Sequence, residues 1–328
     1  MHPSETLRGL LDKSQRILLT GPDHPDADSL GACLALQRIL NRWGLVADVA
    51  GHVPDRYRNL PGTHVVLPDD QVARGYDAVI VIDGDRHRLT PQVQACFERA
   101  QIKGIIDHHV STQPDGYNYV WLDPNETSTC TMIQKALARW REPLDAEIAQ
   151  LLYAGTIYDT GGFRYSNTSP ETHRLTADLL ATGFDHVAVS AQVMVERTRS
   201  GLSLTGEVFR SAKSLVEGRL IIGQVPKSLM ESCEGCYDDL EGIVDALVHV
   251  VGADAAALII ELEHGRCKYS LRSRGAINLV PIVQQLSPTG GGHPNAAGAI
   301  VDASMDQATS RVIELLTPRL IAGPATTP

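Results

Sequence analysis

The sequence has few aromatic residues and no long apolar run. Phe, Trp and Tyr make up 5% of its 328 residues, so we predict a core of aliphatic side chains. No apolar stretch approaches the ~20 residues of a membrane-spanning helix, and the N-terminus lacks the basic and apolar segments of a secretory signal. We therefore expect a cytoplasmic globular protein, and its length suits two domains.

Basic charge and clustered cysteines are also lacking. The net charge of −10 argues against a surface that binds the backbone of long nucleic acids. The six cysteines are dispersed, which is typical of reduced thiols in the cytosol. Cys233 and Cys236 form a single CxxC, and because no second ligand pair follows, we favour two free thiols over a zinc site. Neither a G-x-S-x-G nucleophile motif nor a lysine-containing phosphate loop is present.

Acidic and imidazole side chains follow several apolar segments. The run IIDHH at residues 105–109 predicts a short buried strand whose carboxyl end reaches a surface. The runs at 17–20 and 78–83 have the same design, and an acidic loop and an amphipathic helix at 29–40 follow the first, as in a βαβ unit. Continuous apolar strands indicate a parallel sheet with both faces covered, whose ligands bind at the carboxyl ends of the strands.

These side chains predict a metal site if their strands are neighbours. They are Asp26, Asp28, Asp83, Asp85, Asp107, His108, His109 and Asp159. Each carboxylate alone is better explained as a helix cap or loop residue, but buried carboxylates repel one another, so a cluster of this size needs cations. Carboxylates with imidazole suit Mn²⁺, and two such ions ~3.5–4 Å apart are the usual phosphoester-cleaving arrangement. Because side chains alternate along a strand, Asp107, His108 and His109 are expected not to face one point.

The second half of the chain alternates strand and helix signals around a glycine run. Strands are predicted at residues 219–223, 255–262, 267–271 and 299–301, and helices at 277–286 and from the last strand to about 316. Residues 184–205 are polar and predict a mostly helical connector. The glycine run, at 290–292, predicts a flexible turn when considered alone.

Two sets of motifs together resemble a known family. The segments PDADSLG at 25–31, DHH at 107–109 and YDTG at 158–161, with Asp83 between them, resemble the DHH phosphoesterases. The segments SLRS at 270–273 and GGGHPNAAG at 290–298 are similar to the associated DHHA1 domain. The resemblance covers essentially the whole chain and is nearest to the bacterial oligoribonuclease/pAp phosphatase type.

The resemblance implies an α/β fold in two domains. A parallel-sheet DHH catalytic domain with helices on both faces is expected at residues 1–185 and a helical connector at 186–205. A smaller mixed-sheet α/β DHHA1 domain is expected at 206–320, and 321–328 form a tail. A homodimer is the family expectation.

The resemblance also implies roles for individual residues. Asp26 would bind one Mn²⁺; Asp28, His108 and Asp159 would bind the other, and Asp83 would bridge both, with Mg²⁺ or Co²⁺ as alternative ions. His109 would face the substrate phosphate, and Asp107 would orient a histidine. The residues implied to hold the other end of the substrate are Arg272, Ser273, Gly290, Gly291, Gly292 and His293. Glycine backbones can approach an anion closely, and arginine binds phosphate through a planar fork.

Two departures from the family pattern affect the first metal. Pro22 stands where the family has a metal-binding histidine, and His24, displaced from that position by two residues, is a candidate replacement ligand. The spacing after Asp83 is compressed, so Asp83 and Asp85 both remain candidates for the bridge.

The implied function is hydrolysis of short oligoribonucleotides, such as nanoRNA and pApA, and of 3′-phosphoadenosine 5′-phosphate (pAp). Three alternatives remain: a cyclic-dinucleotide phosphodiesterase, a pyrophosphatase or polyphosphatase, and a nucleotide sensor whose altered first metal site weakens catalysis. Neither long nucleic acids nor membranes are expected partners.

Overall fold

The computed structural model describes residues 2–275 and 277–321. The chain divides into two compact units, Met1–Glu196 and Arg197–Pro328, and each has its own sheet. The predicted connector at 186–205 spans this division, and the predicted domain boundaries stay predictions. Residues 322–328 of the predicted tail lie outside the described residues. In the described part of the chain, no helix is long and apolar enough to cross a membrane.

The first unit contains a five-stranded parallel sheet. Its strands are β1 Ile17–Thr20, β2 Ala47–Ala50, β3 Ala78–Ile82, β4 Ile102–Asp107 and β5 Tyr119–Leu122. Its helices are α1 Pro3–Leu11, α2 Ala27–Arg42, α3 Pro91–Arg99, α4 Thr129–Trp140, α5 Ala146–Asp159, α6 Pro170–Leu180 and α7 His186–Ser190. The order β2-β1-β3-β4-β5 makes the three predicted acidic strands neighbours, so their carboxyl ends meet at one edge.

The strand β3 is buried on both faces, as its unbroken apolar sequence predicts. Val79 and Val81 pack in one core cluster with Phe97 of α3. Ile80 and Ile82 point to the other side and belong to the core that α2, α4 and α5 build. The predicted α/β class, with helices covering both faces of a parallel sheet, is therefore confirmed.

The helices α2 and α5 pack very closely, which brings their acidic ends together. A Cβ atom at Gly31 of α2 would lie 2.5 Å from the carbonyl oxygen of Leu151 in α5. Only glycine permits this approach of one helix to the backbone of another. Asp28 lies at the start of α2 and Asp159 at the end of α5.

The second unit contains a mixed six-stranded sheet in the order β10-β11-β9-β8-β7-β6. Its strands are β6 Lys213–Leu215, β7 Leu220–Val225, β8 Ala255–Glu261, β9 Arg266–Ser273, β10 Gly291–His293 and β11 Ala296–Asp302. Its helices are α8 Arg199–Ser211, α9 Lys227–Ser232, α10 Ile243–Val248, α11 Val280–Leu286 and α12 Met305–Ile321. The predicted mixed-sheet α/β class is confirmed, because β7 pairs with β8 in parallel and the other pairs are antiparallel.

The glycine run is more ordered than the predicted turn. Residues 291–293 form the edge strand β10, which pairs with β11. A Cβ atom at Gly290 would lie 2.3 Å from the carbonyl oxygen of Val283 in α11, so close backbone packing requires this glycine. The prediction of a flexible turn is therefore wrong for residues 291 and 292, because pairing with β11 organises them.

Candidate metal centre and active site

The loop after β1 and the start of α2 position the first two carboxylates. Asp26 is the N-cap of α2, and its Oδ1 accepts the N–H groups of Asp28 at 2.9 Å and Ser29 at 3.0 Å. Asp28 is fully buried, and its two oxygens accept the N–H groups of Thr129 at 2.6 Å and Cys130 at 2.9 Å. These donors form the first turn of α4, where free N–H groups favour an anion.

Asp83 is presented by an unusual backbone conformation directly after β3. Its φ of 60° lies in the left-handed region, and its N–H donates to the carbonyl of Ile106 at 2.9 Å. Its Oδ1 accepts the Thr129 hydroxyl at 3.1 Å and lies 3.5 Å from His108 Nε2. Asp85 instead accepts the N–H of His87 at the start of a 3₁₀ turn. Of these two residues, Asp83 is the one that lies in a set of possible metal ligands.

The DHH segment wraps around its own carboxylate. Because β4 ends at Asp107, the chain leaves the extended conformation, and Asp107 Oδ1 accepts the N–H groups of His108 at 2.8 Å and His109 at 3.2 Å. The same oxygen lies 2.7 Å from His109 Nδ1, and the Thr112 hydroxyl donates to Oδ2. The expectation that the three side chains cannot face one point is therefore wrong, since strand alternation stops at Asp107.

His108 lies at the centre of the cluster. Its Nε2 is 2.8 Å from Asp159 Oδ2 and 3.9 Å from Asp28 Oδ2. Its Nδ1 lies 3.3 Å from the backbone carbonyl of Glu126, a contact that sets the ring orientation. Within the described residues of the first unit, two sets of possible ligand atoms result, each with all atoms within 4.8 Å of one another. They are Asp28, His108 and Asp159, and Asp83, Asp107, His108 and His109.

The pKa shifts show how strongly these groups interact. Burial raises the pKa of Asp28 well above its ordinary value, and the charges of Asp83 and Asp159 add to this. Burial also opposes ionisation of Asp83, but hydrogen bonds from His108 and Thr129 and the charge of His109 lower its pKa overall. Burial lowers the pKa of His108, but the carboxylates of Asp159 and Asp83 outweigh it and raise that pKa well above its usual range.

The cluster fits divalent ions of the harder type. Its donors are carboxylate oxygens and imidazole nitrogens, which suit Mn²⁺ and Mg²⁺ better than metals that prefer thiolates. Cations in the cluster would also offset the burial and the mutual repulsion that raise the pKa values of Asp26 and Asp28. His109 has 22% of its side chain exposed, whereas that of His108 is buried.

The structure places the remaining predicted residues of the first unit around this cluster. Burial, followed by the charges of Asp83, Asp159 and Asp28, raises the pKa of Asp26, which therefore lies near them. Pro22 is buried and contacts the position of Gly84, next to Asp83. His24 is exposed, and its ring centroid lies 6.3 Å from that of His52, so it is in neither ligand set.

The predicted substrate residues of the second unit are also hydrogen-bonded. Arg272 Nε donates to Asp245 Oδ1 at 2.7 Å. The Ser273 hydroxyl donates to the carbonyl of Ile277 at 2.7 Å and accepts Asn295 Nδ2 at 2.9 Å. Ser273 therefore has a clear structural role, whereas Arg272 is a half-buried cation held by a carboxylate.

Sequence reasoning missed the residues that hold the ligands in place. Thr129 contributes both its N–H and its hydroxyl, and Lys135 donates to the Glu126 side chain at 2.6 Å, next to the carbonyl that contacts His108. One signal was available: Ser128 and Thr131 form a capping box, which marks the start of α4 and its free N–H groups.

Comparisons with known proteins agree with this geometry. Residues 16–156 match the model of the DHH family, N-terminal domain, and residues 234–317 match the model of the DHHA1 domain. The chain belongs to the DHH family. This DHH protein is therefore a hydrolase that acts on phosphoester bonds.

Three known proteins are similar to this chain in sequence or in fold. The bifunctional oligoribonuclease and PAP phosphatase NrnA of Thermus thermophilus is 30% identical over 90% of this chain and 87% of that protein. The cyclic-di-AMP phosphodiesterase GdpP of Geobacillus thermodenitrificans is 25% identical over 95% of this chain, which spans 49% of that protein. An exopolyphosphatase-related protein of Bacteroides fragilis shares the fold, with a TM-score of 0.86, 22% identity and 97% coverage of both chains.

Proposed function

We propose that this DHH protein hydrolyses short oligoribonucleotides and pAp with the help of two Mn²⁺ ions. The observation that carries the proposal is the convergence of Asp28, Asp83, His108 and Asp159 at one edge of a parallel sheet. The relative named as an oligoribonuclease and PAP phosphatase, aligned over most of both chains, supports this choice of substrate.

Each side chain of the cluster has a proposed role. Asp26, Asp28, Asp83, His108 and Asp159 would hold the ions, and Asp83 would contribute to both. Bound divalent ions would polarise the phosphoester and activate a water. His109 would donate from Nε2 to the substrate phosphate, because Asp107 engages its Nδ1 at 2.7 Å and thereby sets the orientation of the ring.

The second unit would bind the part of the substrate that does not react. Arg272 has a planar group suited to phosphate, and its contact with Asp245 holds that group in place. The proposal includes backbone N–H groups near Gly291 and Gly292 and the side chain of His293 as further contacts. A cytoplasmic location and a homodimer are part of the same proposal.

Substrate length provides the decisive assay. We expect Mn²⁺-dependent turnover of a ribonucleotide 3-mer and of pAp, and little turnover of a 24-mer or a duplex. Equal rates on the 3-mer and the 24-mer would refute the proposed substrate class. Asp159→Ala serves as the inactive control, because it removes a ligand and should abolish turnover of every substrate.

A cyclic dinucleotide is the second candidate substrate. The match to a cyclic-di-AMP phosphodiesterase extends over 95% of this chain, which favours testing it. The same assay with cyclic di-AMP and with pyrophosphate compares the rival activities directly. A kcat/KM for either rival above that for the 3-mer would reassign the function, and tight binding of the 3-mer without turnover would indicate a sensor.

A further inference from the structure

The carboxyl end of α5 carries a predicted metal ligand and leads into a tightly turned loop. Asp159 is the last residue of α5, where the backbone carbonyls lack partners within the helix. The residues that follow turn sharply, because Gly161, Gly162 and Phe163 all have φ between 57° and 67°, in the left-handed region. The chain thereby reverses its direction and brings Asn167 back to the end of the helix.

The side chain of Asn167 joins two segments that support the cluster. Its Nδ2 donates to the backbone carbonyl of Asp159 at 3.1 Å and to that of Thr127, 40 residues away, also at 3.1 Å. An amide nitrogen carries two hydrogens, so one side chain can serve both carbonyls. Asn167 therefore ties the end of α5 to the residue before Ser128, the N-cap of α4.

These hydrogen bonds complete a ring of contacts around His108. The Nε2 atom of His108 lies 2.8 Å from Asp159 Oδ2. Its Nδ1 lies 3.3 Å from the carbonyl of Glu126, the residue before Thr127. Each side of the imidazole thus leads to the Asn167 amide through one short segment of chain. A movement of either segment would change the separation of His108 and Asp159, which belong to one candidate ligand set.

The backbone of Asn167 is itself held in place. Its carbonyl accepts the Thr127 hydroxyl at 3.2 Å, so the two residues exchange hydrogen bonds. The same hydroxyl lies 2.6 Å from that of Thr172, which belongs to the capping box at the start of α6. Thr127 and Thr172 are buried, and buried hydroxyls are costly unless they are hydrogen-bonded. This network therefore fixes the exposed Asn167 relative to two helices.

We propose that Asn167 is a positioning residue, which sets the separation of His108 and Asp159 and thereby the affinity for the ion that they would bind. The inference rests on the proposed function, because it requires that the cluster binds divalent ions. Groups that orient metal ligands without touching the metal contribute about 10- to 100-fold to metal affinity or activity. The amide nitrogen of Asn167 is committed to two carbonyls, so its effect is exerted on the ligands and not on the substrate.

Calorimetry with Mn²⁺ on the free protein tests this role without relying on turnover. Asn167→Leu removes both N–H donors and keeps a side chain of similar size. We expect the tighter of the two Mn²⁺ affinities to fall by about tenfold or more. The weaker affinity, assigned to the ion at Asp26, should change less. Asn167→Gln keeps the amide donors and should bind the tighter ion better than Asn167→Leu does.

Steady-state kinetics separate positioning of the ligands from substrate binding. Asn167→Leu should need about tenfold more Mn²⁺ for half-maximal turnover of the 3-mer. At saturating Mn²⁺, its KM for the 3-mer should stay within about twofold of the natural value, because no binding contact to the substrate is lost. A higher KM at saturating Mn²⁺, with an unchanged Mn²⁺ affinity, would overturn the proposal and make Asn167 a substrate contact.

Asn125→Leu is the matched control. Asn125 is an exposed asparagine two residues before Thr127, and its described hydrogen bonds go to Asp123 in the same turn. Its substitution should leave both Mn²⁺ affinities unchanged. The unfolding midpoint in EDTA tests whether Asn167 serves only the fold. A lower midpoint for Asn167→Leu together with the natural Mn²⁺ affinities would refute the positioning role.

The outcomes distinguish the positioning role from the function on which it rests. If the natural protein binds Mn²⁺ and turns over the 3-mer but Asn167→Leu binds the ion equally tightly, the role of Asn167 is refuted and the function stands. Equal losses of affinity in Asn167→Leu and Asn167→Gln also refute it, since the N–H donors would then be irrelevant. If the natural protein neither binds Mn²⁺ nor turns over the 3-mer, both proposals fail.

Discussion

Gly155 of α5 lies directly against Asp28 of α2. A Cβ atom at position 155 would be 2.6 Å from Asp28 Oδ1 and 2.8 Å from its Cα. Asp159 follows four residues later on the same side of α5, so the absence of a side chain at 155 sets the distance between two carboxylates of the cluster.

Gly155→Ala should therefore separate these carboxylates. We expect a 10- to 100-fold loss of metal affinity and activity, as for other groups that support metal ligands, and a loss of about 1–3 kcal/mol in stability from overpacking. Gly9→Ala in α1 is the matched control, because its added Cβ would have no described atom within 4 Å beyond its own helix backbone and chain neighbours. That control should gain up to ~1 kcal/mol of stability with normal activity. Full Mn²⁺ affinity in Gly155→Ala would show that α5 can shift without moving Asp159.

Substituting the two candidate bridging carboxylates separately tests which one binds metal. Asp83→Asn should lose several kcal/mol of transition-state stabilisation, because Asp83 lies 3.5 Å from His108 Nε2 in the cluster. Asp85→Asn should stay within about threefold in kcat/KM, since an amide oxygen can still cap the turn at residues 86–88. The reverse order of activities would transfer the bridging role to Asp85.

The first metal should be the weaker of the two. Pro22 replaces the histidine of the family pattern and packs next to Asp83, so calorimetry with Mn²⁺ should resolve two separate affinities. Pro22→His should tighten the weaker one and lower the Mn²⁺ concentration needed for half-maximal activity. Equal affinities in the natural protein, or an unchanged metal requirement in Pro22→His, would contradict this account.

His24→Ala tests whether the displaced histidine replaces the missing ligand. His24 is exposed and belongs to neither ligand set, so its loss should leave both Mn²⁺ affinities unchanged. A weaker first site in this variant would show that the loop at 22–25 rearranges when metal binds.

Removal of divalent ions should destabilise the protein. The cluster places several carboxylates together, and ions that bind only the folded state stabilise it by about 2.7 kcal/mol when present at 100 times their dissociation constant. Thermal unfolding with EDTA and with Mn²⁺ measures this difference. Asp28→Asn should reduce the difference in unfolding midpoint between Mn²⁺ and EDTA, because the variant lacks both a candidate ligand and a charge that repels the other carboxylates. An identical midpoint with and without Mn²⁺ would argue against ion binding in the cluster.

The metal-free protein should also lose stability at alkaline pH. Burial raises the pKa of Asp28, and although burial lowers the pKa of His108, the charges of Asp159 and Asp83 raise it above the ordinary value. Both groups therefore hold protons more tightly in the folded state. The contribution of Asp28 is lost progressively as the pH rises above about 3.9 and that of His108 as the pH rises above about 6.5, the ordinary values for these groups. In EDTA, the unfolding midpoint should therefore fall as the pH rises above about 6.5, and less so in Asp28→Asn. An unfolding midpoint that does not change with pH would refute the raised pKa values of Asp28 and His108.

Arg272→Ala should act mainly on substrate binding. Arg272 is proposed to contact a part of the substrate away from the reacting phosphate, so its loss should raise KM and leave kcat nearly unchanged. Arg274→Ala, an exposed arginine two residues later, is the matched control and should change neither. A large fall in kcat at constant KM would instead place Arg272 in the chemical step.

Much of the fold can be derived from the sequence because its signals are local. The unbroken apolar runs of β1, β3 and β4 predict strands covered on both faces, and an acidic residue at or shortly after each end indicates the edge used for chemistry. A pattern of apolar residues over a few positions is sufficient to predict such strands. The short edge strand β5 was missed.

Which of the candidate donors lie together was decided only by the tertiary structure. Nothing local distinguishes Asp83 from Asp85; a left-handed φ at Asp83 and a hydroxyl from Thr129, 46 residues away, make the difference. Because β4 ends at Asp107, the His109 ring can turn back and contact the Asp107 carboxylate. The alternation of side chains along a strand does not predict this contact. The sequence by itself determined which residue types reach the sheet edge. Which of them meet depends on backbone turns and on partners distant in the chain, because these contacts form only when α2, α4 and α5 pack together.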